Sequence, residues 1–475
     1  MTLPMRRAAT VAAAVAVVGG MLAVDATVGR ATAGGSRAAP VVSATEVVPA
    51  GQGTSSWFCT GGSGAGASAE ATVVMTNPTG QVARGTFTAV SSSGARRSLP
   101  VTVAAGGMTT VVPAHAVSGP WLAASVVLDR GGIGVDETVA SPLGWSEAPC
   151  ASSTARSWYF ADGSTAGSNG VALSIYNPGA AEAVVDTELV TSEQKVLQPA
   201  AYQGVDIPPG SLVTEYVSDH DENDPGFAAS VTAVSGSVVV AELQSYQAAG
   251  ARGIAVVLGA PTAATEWAFP VTQQVSGGQV AFHLYDPGRR AAHVTMIAGS
   301  TGGPSLSKAL TVPGHGTLVL DAARQTTLPV GAPFSTRFVS TNRVGVVVSR
   351  VSLAARGGAS PQQGMTAGTV AGARQWVLPA ITSPGKTPWS FAVQDLASSP
   401  VSVTMTGAAA SSTGSPRVAR FTVSPSAPKV FGGASPVPAG LVPTVVSASG
   451  PVAVELDPEP IGAPGVVVVP ALPLR

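Results

Sequence analysis

Apolar residues along most of this chain alternate with small or polar ones instead of recurring at the helical spacing. In 171–176, Val171, Leu173 and Ile175 fall on one face, and Ala172, Ser174 and Tyr176 on the other, which is the period-two pattern of a strand. Similar Val- and Thr-rich runs occur at 205–213, 310–319 and 444–454, with Gly, Pro, Ser or Asn punctuating the sequence roughly every 8–12 residues. This pattern predicts short antiparallel strands joined by tight turns. The exception is 8–24, an uncharged run of Ala, Val, Gly, Leu and Met preceded by Arg6 and Arg7.

The strand pattern is itself repeated. Trp57, Trp158, Trp267 and Trp376 each begin a run that reaches Asn77, Asn177, Asp286 or Asp395 at a nearly constant offset, and the tryptophans themselves are almost evenly spaced. A period of about 100 residues is longer than a solenoid repeat and matches a β-sandwich. The expected fold is therefore all-β: four tandem antiparallel β-sandwich domains, immunoglobulin-like or fibronectin-like, after an N-terminal hydrophobic export helix. The expected boundaries are a signal peptide or membrane anchor at 1–33, a linker at 34–54, and sandwiches at 55–150, 151–262, 263–372 and 373–475. The four tryptophans would be the repeat core. Gly/Ala/Ser/Pro-rich linkers are expected at 147–157, 247–265 and 355–374, with 253–258 and 465–470 as strands that end a unit.

Composition narrows the functional classes. Of 475 residues, 11% are charged and 5% aromatic, while 56 Gly and 38 Pro would break long helices. Twenty-five basic against 26 acidic residues leave no net field for nucleic acid or an anionic membrane. The basic start, the apolar run at 8–24 and Ala31-Thr32-Ala33 form a targeting segment, which places the bulk of the chain outside the cytoplasm whether or not it is cleaved. Cys59 and Cys150, the only cysteines, read as a disulfide closing a loop of about 90 residues.

Candidate chemistry is sparse. Asp219, Asp221 and Asn223 alternate as oxygen donors do in calcium loops, with Asp224 next to them, but no Gly stands sixth and Ser230 replaces the bidentate Glu, so this is a weak calcium candidate and no EF-hand. Five scattered histidines form no metal motif, and four Ser-x-x-Lys strings lack the partner motifs of penicillin-binding enzymes. No catalytic residue, resident metal or cofactor is expected. Trp121, Trp145, Trp389 and Tyr202 are the aromatic rings that could stack on sugars.

Trp158-Tyr159-Phe160-Ala161-Asp162-Gly163-Ser164-Thr165, followed by Tyr176-Asn177-Pro178, resembles a tandem repeat of actinobacterial exported proteins of unknown function. The resemblance is full in the second unit. The first has Cys59 and Thr60 in place of the Tyr-Phe-Ala continuation, and the third and fourth keep the Trp, its spacing and an Asp. It implies a protein of the cell envelope, with envelope polysaccharide or envelope proteins as partners and the N-terminal helix in the membrane at least during export. The expectation is a non-catalytic scaffold, spacer or adhesion-type protein whose stiff modules project outward, or alternatively an array of polysaccharide-binding modules.

Overall fold

The computed structural model describes residues 43–474 except 65–68, 249, 275–276, 301–304, 326, 355–360, 371, 380–388, 408–416, 426–427, 432–443 and 459–468. The expected export segment at 1–33 and the start of the 34–54 linker lie outside the described residues. Among the described residues every regular element is a strand or a short 3-10 turn, and no helix is long and apolar enough to cross a membrane.

Each repeat occupies the same eight strand positions in two layers. In the third unit the first layer runs, in spatial order, Leu306–Val312, Ala292–Ser300, Pro333–Ser340, Glu266–Gln273; the second runs Gly316–Asp321, Gln279–Asp286, Val347–Ala354, Gln362–Ala367. In chain order these are strands four, three, six, one and five, two, seven, eight. The second unit has the same order, with Ala183–Val190, Ala228–Ser235 and Ser157–Phe160 in one layer and Ser211–Tyr216, Gly170–Asn177, Val239–Tyr246 and Gly253–Leu258 in the other. Its fourth position is split into Val196–Leu197 and Val205–Ile207. In the first unit a parallel bridge from Ser63 to Glu70 joins the layers into one sheet. In the fourth, the single strand Thr444–Pro458 serves both layers as sixth and seventh strand. The order differs from that of immunoglobulin constant domains, where the first two strands share a sheet. Here the first strand lies beside the sixth, and the second lies between the fifth and seventh.

The strand expected at 253–258 is present as the eighth strand Gly253–Leu258, while the expected linkers at 147–157 and 355–374 hold the end of the eighth strand Gly144–Pro149 and the whole of Gln362–Ala367. After each eighth strand the chain crosses back to its own first strand. Ala151 bridges Phe58, Ala260 bridges Tyr159, Thr369 and Val370 pair with Ala268 and Trp267, and Leu472 and Pro473 pair with Val377 and Trp376.

The units do not project as separate modules, because Val42–Arg475 is one compact unit. The residue after each repeat tryptophan points out of its own sandwich onto the second and seventh strands of the next. Phe58 meets Tyr176 edge-on at 6.5 Å, Tyr159 meets Tyr285 at 6.4 Å, and Ala268 packs with Leu396 and Ala453. Val377 of the fourth unit then buries itself, with Leu472, in the core of the first, while Trp145 of the first enters the core of the fourth. A head-to-tail contact repeated by a rotation that closes makes a ring. Here the ring lies within one chain, and the expectation of an extended array is corrected accordingly. Closure also explains why Ala172, Ser174 and Tyr176, read as the outer face of a half-buried strand, are at most 5% exposed: the first unit covers them. Residues 43–48 strap the seam, with Val47 N–H donating to Pro473 O at 2.8 Å, Val48 O accepting from Gly132 N–H at 2.6 Å and Ala44 O accepting from Ser152 N–H at 2.6 Å.

Candidate functional site

The repeat tryptophans sit where the first strand faces the inter-sheet space, each at 1% exposure or less. The Trp158 indole donates to Val238 O at 2.8 Å and that of Trp267 to Val346 O at 2.6 Å, tying the first strand to the start of the seventh. Trp376 donates instead to Ala373 O at 3.2 Å, and the buried Trp57 indole N–H has no partner among the described residues.

Two residues beyond each tryptophan lies the point where the unit is closed. In the first unit Cys59 and Cys150 form a disulfide with Cα atoms 4.7 Å apart. The register puts Phe160 opposite Gly259, Phe269 opposite Gly368 and Leu378 opposite Ala471 at the same place. A Cβ on Gly259 or Gly368 would come within 2.7 Å of the facing phenylalanine ring, so glycine is what admits the ring. One hydrogen bond recurs in all four copies: the N–H of Cys150, Gly259, Gly368 and Ala471 donates to Val135, Val240, Val348 and Val454 O at 3.0–3.1 Å.

The acidic loop is a brace. Asp224 accepts from the N–H groups of Ser192 at 3.0 Å and Gly226 at 2.9 Å, and Asn223, at φ 58°, accepts from Gly167 N–H at 3.2 Å. Asp219 ends a 3-10 turn, and burial and the neighbouring Asp224 push the Asp221 carboxyl up to about 6. Among the described residues no three His, Cys, Asp or Glu side chains gather to hold a metal, so the calcium reading gains no support. The predicted stacking rings are placed elsewhere. Trp121 (9% exposed) donates to Tyr216 Oη, Trp145 (3%) is core, and Tyr202 (7%) donates to Tyr216 O; the side chain of Trp389 lies outside the described residues.

Around the ring centre the eighth strands and the crossovers after them line a half-open cavity of about 90 Å³, bordered among others by Ala148, Val256, Gly368 and Ala471. Sites for drug-sized ligands run from about 300 Å³ upward, so this is a packing remnant. Glu147 reaches it, and Asp136 lies close by; burial raises both carboxyls well above their usual range, with the Asp136 charge adding to the effect on Glu147. Other buried charges sit at the joints between units. Glu137 accepts from Gly61 N–H at 2.7 Å and is pushed by burial up to about 7. Arg350 pairs with Glu455 of the fourth unit at 3.5 Å. His283 Nδ1 of the third unit lies 2.7 Å from Asp162 Oδ1 of the second, beside Glu242 and Tyr246, whose ionisation burial and the Asp162 charge push up.

An open site lies on the second unit, against the third. Tyr159, Ser230 and Glu188 stand in one cross-strand row of the first layer, and Ser157, Thr232 and Asp186 in the next row of that face. The third unit walls the face with Tyr285, Pro287 and His315, leaving a cleft of about 280 Å³. Glu188 is fixed by Gln198 Nε2 at 2.7 Å and by His315 Nε2 at 2.5 Å, and Gln203 Nε2 donates to Thr187 O at 2.7 Å. Across Tyr159 and Pro287 a second cleft of about 420 Å³ continues, carrying Arg289, Arg290 and Arg343. All three arginines are exposed, and none forms an ion pair among the described residues. Sequence reasoning missed this site. The Arg289-Arg290 doublet in so uncharged a chain was the available signal, but only the ring brings it to Tyr159.

Fold and sites thus define, among the described residues, an all-β repeat protein with sealed joints and an open polar face on the second unit. The chain belongs to the family of unknown function DUF5719, which matches residues 138–431. No curated protein matches it. Among solved structures the chain is similar to Thermotoga maritima 1070, at 17% identity over 23% of this chain and 96% of that one, with a TM-score of 0.21. It is similar also to the Anabaena sensory rhodopsin transducer (21% identity, 18% of this chain and 94% of that one, TM-score 0.16). A tetra-tandem repeat in the extending region of a large adhesion protein matches at 14% identity over 84% of this chain and 97% of that one, with a TM-score of 0.10. Scores this low carry no argument about fold or function.

Proposed function

We propose that this chain is a non-catalytic, extracytoplasmic scaffold of the cell envelope that works as a closed ring and not as a linear spacer. The observation behind this is the head-to-tail packing in which the fourth unit returns to the first, with Val377 and Leu472 inside its core. A ring has no free end unit, so it presents fixed junction surfaces and not reach. The buried charged groups described above sit at the joints or around the central cavity, and two of them pair across units, Arg350 with Glu455 and His283 with Asp162. The N-terminal targeting segment and the disulfide support an extracytoplasmic setting. Small-angle scattering on residues 43–475 tests the ring: a compact body of this size has a radius of gyration of about 22 Å. A value about twice that, as for a linear file of sandwiches, would overturn it. Fractionation of intact cells tests the setting, and recovery in the cytosol would overturn that part.

A second reading, polysaccharide binding, is favoured by the face of the second unit. The row Tyr159, Ser230, Glu188 corresponds to Phe58, Ser125, Thr88 in the first unit and to Ala268, Arg337, Ile297 in the third. The fold therefore forms without the second unit's polar set.

A further inference from the structure

We propose that the double cleft between the second and third units binds an anionic saccharide, with a sugar ring on Tyr159 and its carboxylate or phosphate on the arginines of the third unit. The proposal rests on the polysaccharide-binding reading and names its site and ligand class.

Three features of the cleft specify the ligand. Tyr159 is half-buried and stands between the two clefts, its ring tilted at 60° against Tyr285, so one edge is supported while the rest faces the opening. An aromatic ring held this way offers apolar area to the C–H face of a sugar. On one side the lining is planar and polar. Asp186 Oδ1 accepts from Gly204 N–H at 2.7 Å, and Gln198 and Gln203 each have their amide nitrogen committed within the protein. These bonds leave the Gln198 and Gln203 carbonyl oxygens and the second Asp186 oxygen for hydroxyl groups. Few, fixed polar groups of this kind orient a ligand.

On the other side the turn after Asp286 carries Arg289 and Arg290, and Arg343 faces them at φ 61°. A guanidinium binds a carboxylate or phosphate through paired N–H donors. The turns in the same place elsewhere read Thr79-Gly80-Gln81, Gly179-Ala180-Ala181 and Ala397-Ser398-Ser399, none with an arginine. Thus the arginine-bearing turn is the one that walls the only face among the first three units with a tyrosine and two carboxylates in these positions. A neutral glycan would leave Arg289 and Arg343 without a role, Arg290 alone acting on the Asp286 carboxyl that lines the same cleft, and a simple anion would leave the amide and carboxylate side without one. A ligand carrying hydroxyls and a negative charge a few bonds apart uses both.

The test is isothermal titration of residues 43–475 with oligoglucuronate and, separately, with a phosphodiester-linked glycan, using a dextran oligomer of equal length as neutral control. Arg289→Ala/Arg290→Ala alters exposed turn residues and keeps the fold; Tyr159→Ala is read with its melting curve. Binding of either anionic glycan, weakened about tenfold by the arginine pair and reduced at high salt, supports the proposal, and the better ligand distinguishes uronate from phosphate. Equal binding of dextran, unchanged by the arginine pair, overturns the anionic class. Anionic binding insensitive to both variants overturns the site while leaving the binding reading intact. No heat with any glycan, confirmed by absence of chemical-shift change at Tyr159, overturns site and reading together and leaves the scaffold.

Discussion

The first and second units close at the same point by different means. Cys59 and Cys150 join the first strand to the returning chain covalently, whereas Phe160 lies over Gly259 in the second unit, and both copies keep the N–H bond to the seventh strand. The third repeats the ring-on-glycine solution with Phe269 and Gly368, and the fourth uses Leu378 and Ala471. What the fold requires here is a pinned crossover between layers, and a disulfide, an aromatic lid or an aliphatic pair each supplies it. The covalent version stands in the unit whose core takes in Val377 and Leu472 of the fourth. Replacing both Cys59 and Cys150 by Ala is expected to have the largest effect, a loss of about 4–5 kcal/mol for a sequence separation of 91, measured by denaturant unfolding under oxidising conditions. Cys59→Phe with Cys150→Gly copies the second unit and should recover part of that loss. No recovery would mean that the two closures are not equivalent.

Charge at the joints distinguishes the units in a second way. Three residue positions on the seventh strand correspond: Glu137 in the first unit, Glu242 in the second and Arg350 in the third. Burial pushes Glu137 and Glu215 up to about 7 and Asp286 up to about 6. A carboxyl whose pKa is higher folded than unfolded contributes stability that is fully present below its unfolded pKa of 4.5 and is lost as pH rises through the folded value of about 7. The ring should therefore melt at a higher temperature at pH 5 than at pH 8. Glu137 alone accounts for about 2–3 kcal/mol of the difference, and Glu137→Gln should flatten the profile. A melting temperature that rises from pH 5 to pH 8 would contradict the assignment.

The pinned crossover can be probed from the glycine side as well. Gly259→Ala puts a Cβ 2.7 Å from the Phe160 ring, with an expected cost of about 1–3 kcal/mol. Adding Phe160→Leu reproduces the fourth unit's Leu378 and Ala471 pair, and the double variant should be more stable than Gly259→Ala alone. If the two substitutions are additive in a thermal melt, the fourth unit's solution does not transfer.

The sequence showed the strands and their repetition because Trp, Asn or Asp and the alternating apolar residues recur at fixed offsets. It did not show the ring. The joint positions carry different residues each time, Phe58, Tyr159, Ala268 and Val377, so no recurrence marks them. Of the eighth strands, Gly253–Leu258 was legible from its apolar run Ile254 to Leu258, whereas Gln362–Ala367 fell inside the expected linker 355–374, because Gly364, Ala367 and the polar Gln362, Gln363 and Thr366 resemble a flexible connection. Of the candidate site, Tyr159 was visible within the repeat motif, while the arginine turn belongs to the next unit along the chain and joins it only through packing.

The smallest expected effect concerns the tryptophans that made the repeat legible. Trp57 and Trp158 fill equivalent space at 1% and 0% exposure, so replacing either by Phe removes a similar apolar area. Their indole nitrogens differ: Trp158 donates to Val238 O, and Trp57 has no acceptor among the described residues. A phenylalanine at 158 leaves the buried Val238 carbonyl short of one donor, whereas at 57 it removes a buried N–H that was already costing stability. Trp158→Phe should thus destabilise more than Trp57→Phe, by about 1 kcal/mol in matched denaturant titrations. Equal losses would show that the indole bond is a by-product of filling the inter-sheet space, and that volume alone explains the recurrence of Trp in all four units.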